Sequence, residues 1–299
     1  MQFLKRLLIP VIITILLCCA INIKFGKDHW KSIIISDGKG YYAYLPALFI
    51  YHDLHFNFFD QVEHRYYDSN TYYDYRVLYE NAIIDKYYVG TAVAIVPFFA
   101  VAHAYCKYNG IVADGYTRPY AVMVSIAAIF YLWIGLFYLK KWLKSYSFDD
   151  GVINFIIIAF VFGTHLFYYA TIEPALSHVF SFSVISCWLH ITRKGIQAES
   201  KKYLLFSALL FGWILLLRPV NGLVILSLPF LADGWEELIG TIKKIAKQPV
   251  FVGLLIFTSL FMLSIQAVIY QIQTGRWWIY SYKEEGFNWL DPHFLDILF

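Results

Sequence analysis

Long apolar runs recur along the chain, at 7–23, 89–106, 119–139, 152–169, 175–192, 203–217, 219–232 and 250–270. Crossing a bilayer takes about 20 predominantly apolar residues, within a range of about 17–25. The polar positions between the runs sort them into crossings. Lys5-Arg6 precedes the first run; Lys140, Lys141 and Lys144 form one basic cluster, Arg193, Lys194, Lys201 and Lys202 a second, and Lys243, Lys244 and Lys247 a third. Basic residues gather on the cytoplasmic side of membrane proteins. With all of them inside, the intervening segments cross in pairs, and the turns at 170–174 and 218–219 and the tail after Gln271 face outside. Residues 24–118 then cross an even number of times, most simply none. Run 89–106, with Pro97 near its middle and His103 near its end, becomes an interfacial or dipping helix. Letting it cross, for eight spans, breaks the charge pattern.

The pattern therefore predicts an all-α, polytopic helical membrane protein with about seven transmembrane helices: 7–23, 119–139, 152–169, 175–192, 203–217, 219–232 and 250–270. The chain is expected to be a single transmembrane domain over 1–299, with an external loop at 24–118 built of short interfacial helices and the start of a second external loop at 271–299. The first run has the basic start of a signal peptide but no small-residue cleavage site, so it reads as a retained span with a cytoplasmic N-terminus. The expected location is a bacterial inner membrane. The final residues, His293 to Phe299, look like the start of another element, which points to a longer natural chain.

Composition agrees. Of 299 residues, 60% are hydrophobic, 20% aromatic and only 15% charged, against about 25% charged in an average soluble domain. That excludes an ordinary soluble enzyme, a disordered chain and a disulfide scaffold. A net charge of +3 is too small to argue for nucleic acid as a partner. Cys18, Cys19, Cys106 and Cys187 all sit in apolar runs without metal or disulfide spacing and read as small buried hydrophobes.

Runs 203–217 and 219–232 are short, reaching only about 20–23 Å at 1.5 Å per residue. Their shared turn, Arg218-Pro219, is therefore drawn below the outer surface, where a charge is costly and points to function. Asn221 follows in the same turn. Glu173-Pro174 opens the fourth span in the same manner, with Ser177 and His178 in its first turn. Proline suits a first helical turn, and the free N–H groups there attract anions. Segment 24–90 alternates aromatic residues with charges: Asp37-Gly38-Lys39-Gly40-Tyr41-Tyr42, Tyr72-Tyr73-Asp74-Tyr75-Arg76 and Asp85-Lys86-Tyr87-Tyr88. The glycines after Asp37 match a dinucleotide fingerprint, but without a βαβ unit; Gly40 to Ile50 reads instead as a short interfacial helix with Asp37 near its start. Glu284 and Glu285 add acids to the outer tail.

Together these describe an outer face carrying carboxylates (Asp37, Glu173), cations (Lys86, Arg218), helix N-termini and many aromatic rings, with Lys39, Tyr41, Tyr42, His178 and Asn221 as supporting residues. Cations and helix ends suit a phosphate at the bilayer surface, a carboxylate beside it suits a general base, and flat rings suit sugars.

In this order of elements the chain resembles the GT-C membrane glycosyltransferases, which include protein O-mannosyltransferases and the lipid A aminoarabinose transferase. Asp37 in Ser36-Asp37-Gly38-Lys39-Gly40 looks like that family's acid after the first span, which acts as or beside the catalytic base. Lys86 looks like its phosphate-binding Lys-Pro element, with Tyr87 in the proline's place. Glu173-Pro174 looks like its acid-Pro pair, and Arg218 corresponds to a basic residue at the outer end of the fifth span. The resemblance implies a polyprenyl-phosphate-linked sugar donor, a lipid, glycan or protein acceptor, contact with membrane lipids, and an inverting displacement. It leaves open a divalent metal, for which Asp37, Glu173 and His178 would be the ligands. The competing readings are a transporter or lipid flippase, which would show inverted repeats and midplane charges, and a non-catalytic truncated relative.

Overall fold

The computed structural model describes residues 2–282, and these are overwhelmingly helical. Helix α1 (Gln2–Lys24) leads through a 3-10 turn (His29–Ser32) into α2 (Asp37–Pro46), which runs on as a π-helical turn (Ala47–Tyr51). Then follow α3 (Phe59–Tyr66), a hairpin of β1 (Arg76–Tyr79) and β2 (Ala82–Asp85), α4 (Gly90–Tyr108) and α5 (Arg118–Lys144). The rest is α6 (Asp150–Phe162), α7 (Leu166–Thr171), α8 (Ser177–Gln197), α9 (Lys201–Leu217), a 3-10 segment (Pro219–Ser227), α10 (Leu228–Leu231), α11 (Trp235–Ala246) and α12 (Pro249–Thr274). The hairpin is antiparallel, Arg76 opposite Asp85 and Tyr79 opposite Ala82.

Among the described residues four helices are long and apolar enough to cross a membrane: Leu7–Lys24, Gly90–Tyr108, Arg118–Lys144 and Pro249–Thr274. Three of these are expected spans, whereas Gly90–Tyr108 is the run expected not to cross, and the expected spans 152–169, 175–192, 203–217 and 219–232 are not among the four. Run 152–169 is split: α6 stops at Phe162, and Gly163-Thr164-His165 breaks the chain before α7. A β-carbon at Gly163 would press on the Ala159 carbonyl at 2.7 Å. Run 219–232 is not an α-helix for most of its length. The prolines at 219 and 229 remove two donors, and residues 219–227 take the 3-10 form instead. That segment nonetheless carries the chain the whole way back. Arg218 ends α9, whereas Leu231 and Asp233 meet Arg193 near the end of α8 (Nη1 to Leu231 O 3.1 Å, to Asp233 Oδ1 2.7 Å). At about 2.0 Å per residue, nine 3-10 residues and four α residues cover about 24 Å, close to the roughly 25 Å of α9.

Helices α5 and α8 run parallel. Gly135 admits Phe182 and Ser183, and ten residues further along both helices Arg193 Nε donates to Ser145 Oγ at 2.9 Å. Helices α9 and α12 are also parallel; Gly212 lets the helices approach until Ser259 and Met262 touch it, and Ser259 Oγ donates to the Ala208 carbonyl at 2.8 Å. Helix α4 was expected to lie in the interface or dip from it. It packs beside only one half of α5: Phe98 meets Phe130 and Tyr131, while His103 Nδ1 and the Tyr120 hydroxyl share a hydrogen bond of 2.7 Å. Its first residue, Gly90, lies against the Leu216 backbone at the end of α9, where a β-carbon would come within 2.5 Å.

The loop region over this end is organised by α2. Every residue of α2 except Asp37 is buried. Lys39 reaches out of it to Glu63 on α3 (2.5 and 2.8 Å) and to the Thr71 carbonyl (2.7 Å), with the Tyr67 ring centre 3.6 Å from its Nζ. Tyr42 donates to the Gly115 carbonyl at 2.5 Å and Tyr44 to the Tyr87 carbonyl at 2.6 Å. Removing one partner of a buried ion pair leaves the other charge stranded, at a cost of about 3–5 kcal/mol. Lys39→Met is therefore expected to lower the unfolding temperature of the detergent-solubilised protein strongly and to open 59–75 to protease. Adding Glu63→Leu should restore most of the loss. A single variant as stable as the wild type would remove the pair from this role.

Candidate active site

Asp37 is the first residue of α2, and the backbone before it is strained. Ser36 has φ +50°, an uncommon region for a residue with a β-carbon and one that costs of order 1–3 kcal/mol. Small residues let the elements close around it. Gly38 faces Ala175, where a β-carbon would lie 2.7 Å from the Ala175 side chain, so α2 rests on the turn before α8. Gly40 lies against the Tyr87 ring and 3.0 Å from Asp85 Oδ1 by the same measure.

The Asp37 carboxylate accepts from the Tyr73 hydroxyl at 3.0 Å, and the Tyr73 and Tyr87 hydroxyls are themselves bonded. One turn along α2, the Tyr41 ring lies 4.7 Å from the Tyr87 ring, and its hydroxyl is beside Ser177. Burial, with Tyr73 and the Asp37 carboxylate adding to it, pushes the Tyr87 phenol far up. Burial likewise raises Tyr41, Tyr73 and Tyr282. These phenols stay protonated near neutrality, so the cluster presents hydrogen-bond donors to the acid.

The opposite charge enters from α9. Arg218 has extended backbone (φ −157°, ψ 121°), as a residue before proline must, and so ends the helix. Its charge acts on Tyr41, His178 and Tyr282, and the charge of Asp37 acts on the same three. His178 is stacked on Tyr169, ring centres 4.0 Å apart. Arg218 lies below the end of the bundle. The Gly212–Ser259 register sets it level with about residue 266 of α12, whose side chain caps the start of α4 (Val89 N to Gln266 Oε1 2.8 Å). Helix α12 continues for eight more residues to Thr274, about 12 Å.

Lys86 stands at the rim, its Nζ 5.5 Å from the Tyr87 ring centre and 5.7 Å from that of Tyr282, and its charge reaches Tyr73. Asn221 donates to Ser181 Oγ at 2.9 Å, one turn along α8 from Ser177. Glu173 lies in the turn that Gly38 rests on, but accepts from Tyr168 at 2.8 Å and is in electrostatic reach of Lys24. Lys39 and Tyr42 point elsewhere, into the contacts that hold α2. Glu284 and Glu285 fall outside the described residues. Asp37, Glu173 and His178 do not form a ligand set: among the described residues no three His, Cys, Asp or Glu side chains are grouped to hold a metal ion.

Sequence reasoning passed over Tyr73 and Tyr87, whose hydroxyls lie at the acid, and Tyr282, on which its charge also acts. The signal for the first two was a Tyr-Tyr pair beside a charge, in Tyr72-Tyr73-Asp74 and Lys86-Tyr87-Tyr88. It also passed over Asp85, a fully buried acid under the site. Its Oδ1 accepts from Tyr87 N at 2.8 Å, no partner among the described residues reaches its Oδ2, and burial pushes its carboxyl well above the ordinary range. Comparison with family models, curated proteins and solved structures finds no match.

The glycine contacts are directly testable. Gly40→Ala should cost about 1–3 kcal/mol, since the Tyr87 ring and Asp85 cannot both retreat. Gly26→Ala, with open space around it, should stay within about 0.5 kcal/mol. Equal unfolding temperatures for the two variants would contradict the close approach of α2 to the Tyr87 segment.

Proposed function

We propose that the chain is a membrane glycosyltransferase of the GT-C kind, moving a sugar from a polyprenyl-phosphate donor to an acceptor hydroxyl or amine. The observation that carries the reading is the cluster in which the charges of Asp37 and Arg218 both act on Tyr41, His178 and Tyr282. A base and a cation set near the same aromatic side chains suit displacement at a sugar carbon joined to phosphate. The ordered resemblance of Asp37, Lys86, Glu173-Pro174 and Arg218 to GT-C elements supports it too. The basic clusters favour a cytoplasmic N-terminus and an external site, in a bacterial inner membrane.

The acceptor oxygen or nitrogen forms its bond to the anomeric carbon while Asp37 takes its proton. The bond from that carbon to the donor phosphate oxygen breaks, and its electron pair leaves on the phosphate. The products are the glycosylated acceptor, with inverted configuration, and the polyprenyl phosphate. Tyr73, tied to Tyr87, orients the Asp37 carboxylate by donating to it. Arg218, with Lys86 at the rim, meets the charge that builds on the leaving oxygen. Such preorganised donors act more strongly in a water-poor site, and loss of one typically costs about 10²–10³ in rate.

Purified protein incubated with labelled polyprenyl-phosphate sugars and membrane acceptors tests this. Asp37→Asn should abolish transfer while leaving membrane insertion and unfolding temperature near wild type. Arg218→Ala should slow transfer about 10²–10³-fold. Near-normal turnover by Asp37→Asn would remove the acid from the mechanism. Movement of intact donor across vesicles without cleavage would instead establish a flippase.

A further inference from the structure

A hollow opens toward the other, basic end of the bundle. It is an apolar slot of about 420 Å³ between α8, α9, α11 and α12, with Trp188, Phe211, Leu238, Leu255 and Leu263 among its walls. The Thr192 and Ser207 hydroxyls in its wall bond at 2.6 Å, and Ser259 Oγ donates to the Ala208 carbonyl. Away from Thr241, at its junction with the recess described next, the slot therefore offers hydrocarbon to an occupant. Ile196, Leu204, Thr241 and Ile245 continue it into a polar recess that also holds Lys201, Lys244, Glu199 and Gln248. Lys244 pairs with Glu199 at 2.6 Å, both widely exposed, and Lys201 Nζ lies 5.3 Å from the Phe251 ring. Helix α11 forms one wall. Its Trp235, Ile239 and Ile242 are exposed, and Lys243 and Lys244 occupy its last turn, the pattern of a helix lying along a membrane surface.

We infer that the slot and its rim bind one anionic glycerophospholipid from the leaflet at the basic end, an acyl chain in the slot and the headgroup phosphate between Lys201 and Lys244. Charge complementarity selects this occupant. Lys201, Lys202, Lys243, Lys244 and Lys247 gather at this end, Glu199 pairs with Lys244, and Glu236 and Glu237 at the far end of α11 offset part of the rest, leaving an excess of positive charge beside the recess. A zwitterionic lipid would fill the slot equally well but leave that excess uncompensated. Basic residues at a membrane surface draw anionic lipid, and each contributes appreciably. The site lies at the opposite end from Asp37 and does not depend on the transfer reading.

The test uses the full chain in nonionic detergent, titrated with phosphatidylglycerol or phosphatidylcholine and followed by native mass spectrometry and thermal unfolding. One phosphatidylglycerol should be retained per chain, with a rise in unfolding temperature that phosphatidylcholine does not match. Lys201→Gln combined with Lys244→Gln should weaken phosphatidylglycerol retention about tenfold or more and leave phosphatidylcholine unchanged. Thr241→Trp, which fills the junction of slot and recess, should abolish retention of both. Equal retention of the two lipids, detergent alone in the slot, or undiminished phosphatidylglycerol binding by the double lysine variant would each overturn the proposal.

Discussion

Everything at the Arg218 end of the bundle depends on the burial of one ten-residue helix. Helix α2 has no exposed face: Gly38 meets the turn before α8, Lys39 meets α3, Gly40 meets the Tyr87 segment, and Tyr42 and Tyr44 bond to carbonyls in the 109–117 loop and beside α4. A helix this short is unstable by itself in water, so it exists here because each side is engaged. The arrangement leaves one residue half-exposed, Asp37, and holds it at the helix start where a carboxylate is electrostatically favoured. Precise placement of the acid is therefore a by-product of packing, not of any contact made by the acid alone.

The cluster around Asp37 follows from how the surrounding helices end. Helix α8 begins at Ser177, α9 stops at Arg218, and α4 begins at Gly90 against the end of α9. Three helix ends meeting below the tip of α12 bring polar backbone together with protonated phenols. Backbone of this kind is tolerated at depth only where protein covers it or a cavity opens to it. Charges of opposite sign set in such surroundings are weakly screened, and those of Asp37 and Arg218 both act on Tyr41, His178 and Tyr282.

Much of the architecture was legible in the apolar pattern and the lysine clusters. Helices α1, α5, α8, α9 and α12 appear where their runs lie, and the turn at Arg218-Pro219 is where the helix stops. The breaks were harder to read. Gly163-Thr164 inside an apolar run carries no charge to mark it, and residues 219–232 look helical until the two prolines are weighed against their missing donors. Asp37 and Arg218 could be named from isolated charges beside helix ends. The phenols between them could not, because 24–90 is rich in tyrosine throughout and only the fold distinguishes those facing the acid. Lys39 shows the reverse. The sequence names it as a supporting residue of the outer face, whereas its ammonium is committed to Glu63 and the flanking glycines serve close packing.

The return segment after Arg218 has one more implication. Thirteen residues coiled as ordinary α-helix would reach about 20 Å, some 4 Å less than the same residues reach with nine of them in the tighter-wound 3-10 form. One end of that cord is the arginine that faces the acid, and the other is clamped by Arg193 to Leu231 and Asp233. The vertical position of the guanidinium is accordingly gauged by the winding of a proline-bounded strap, so that the two faces of the bundle are held at a set spacing by backbone geometry instead of by side chains.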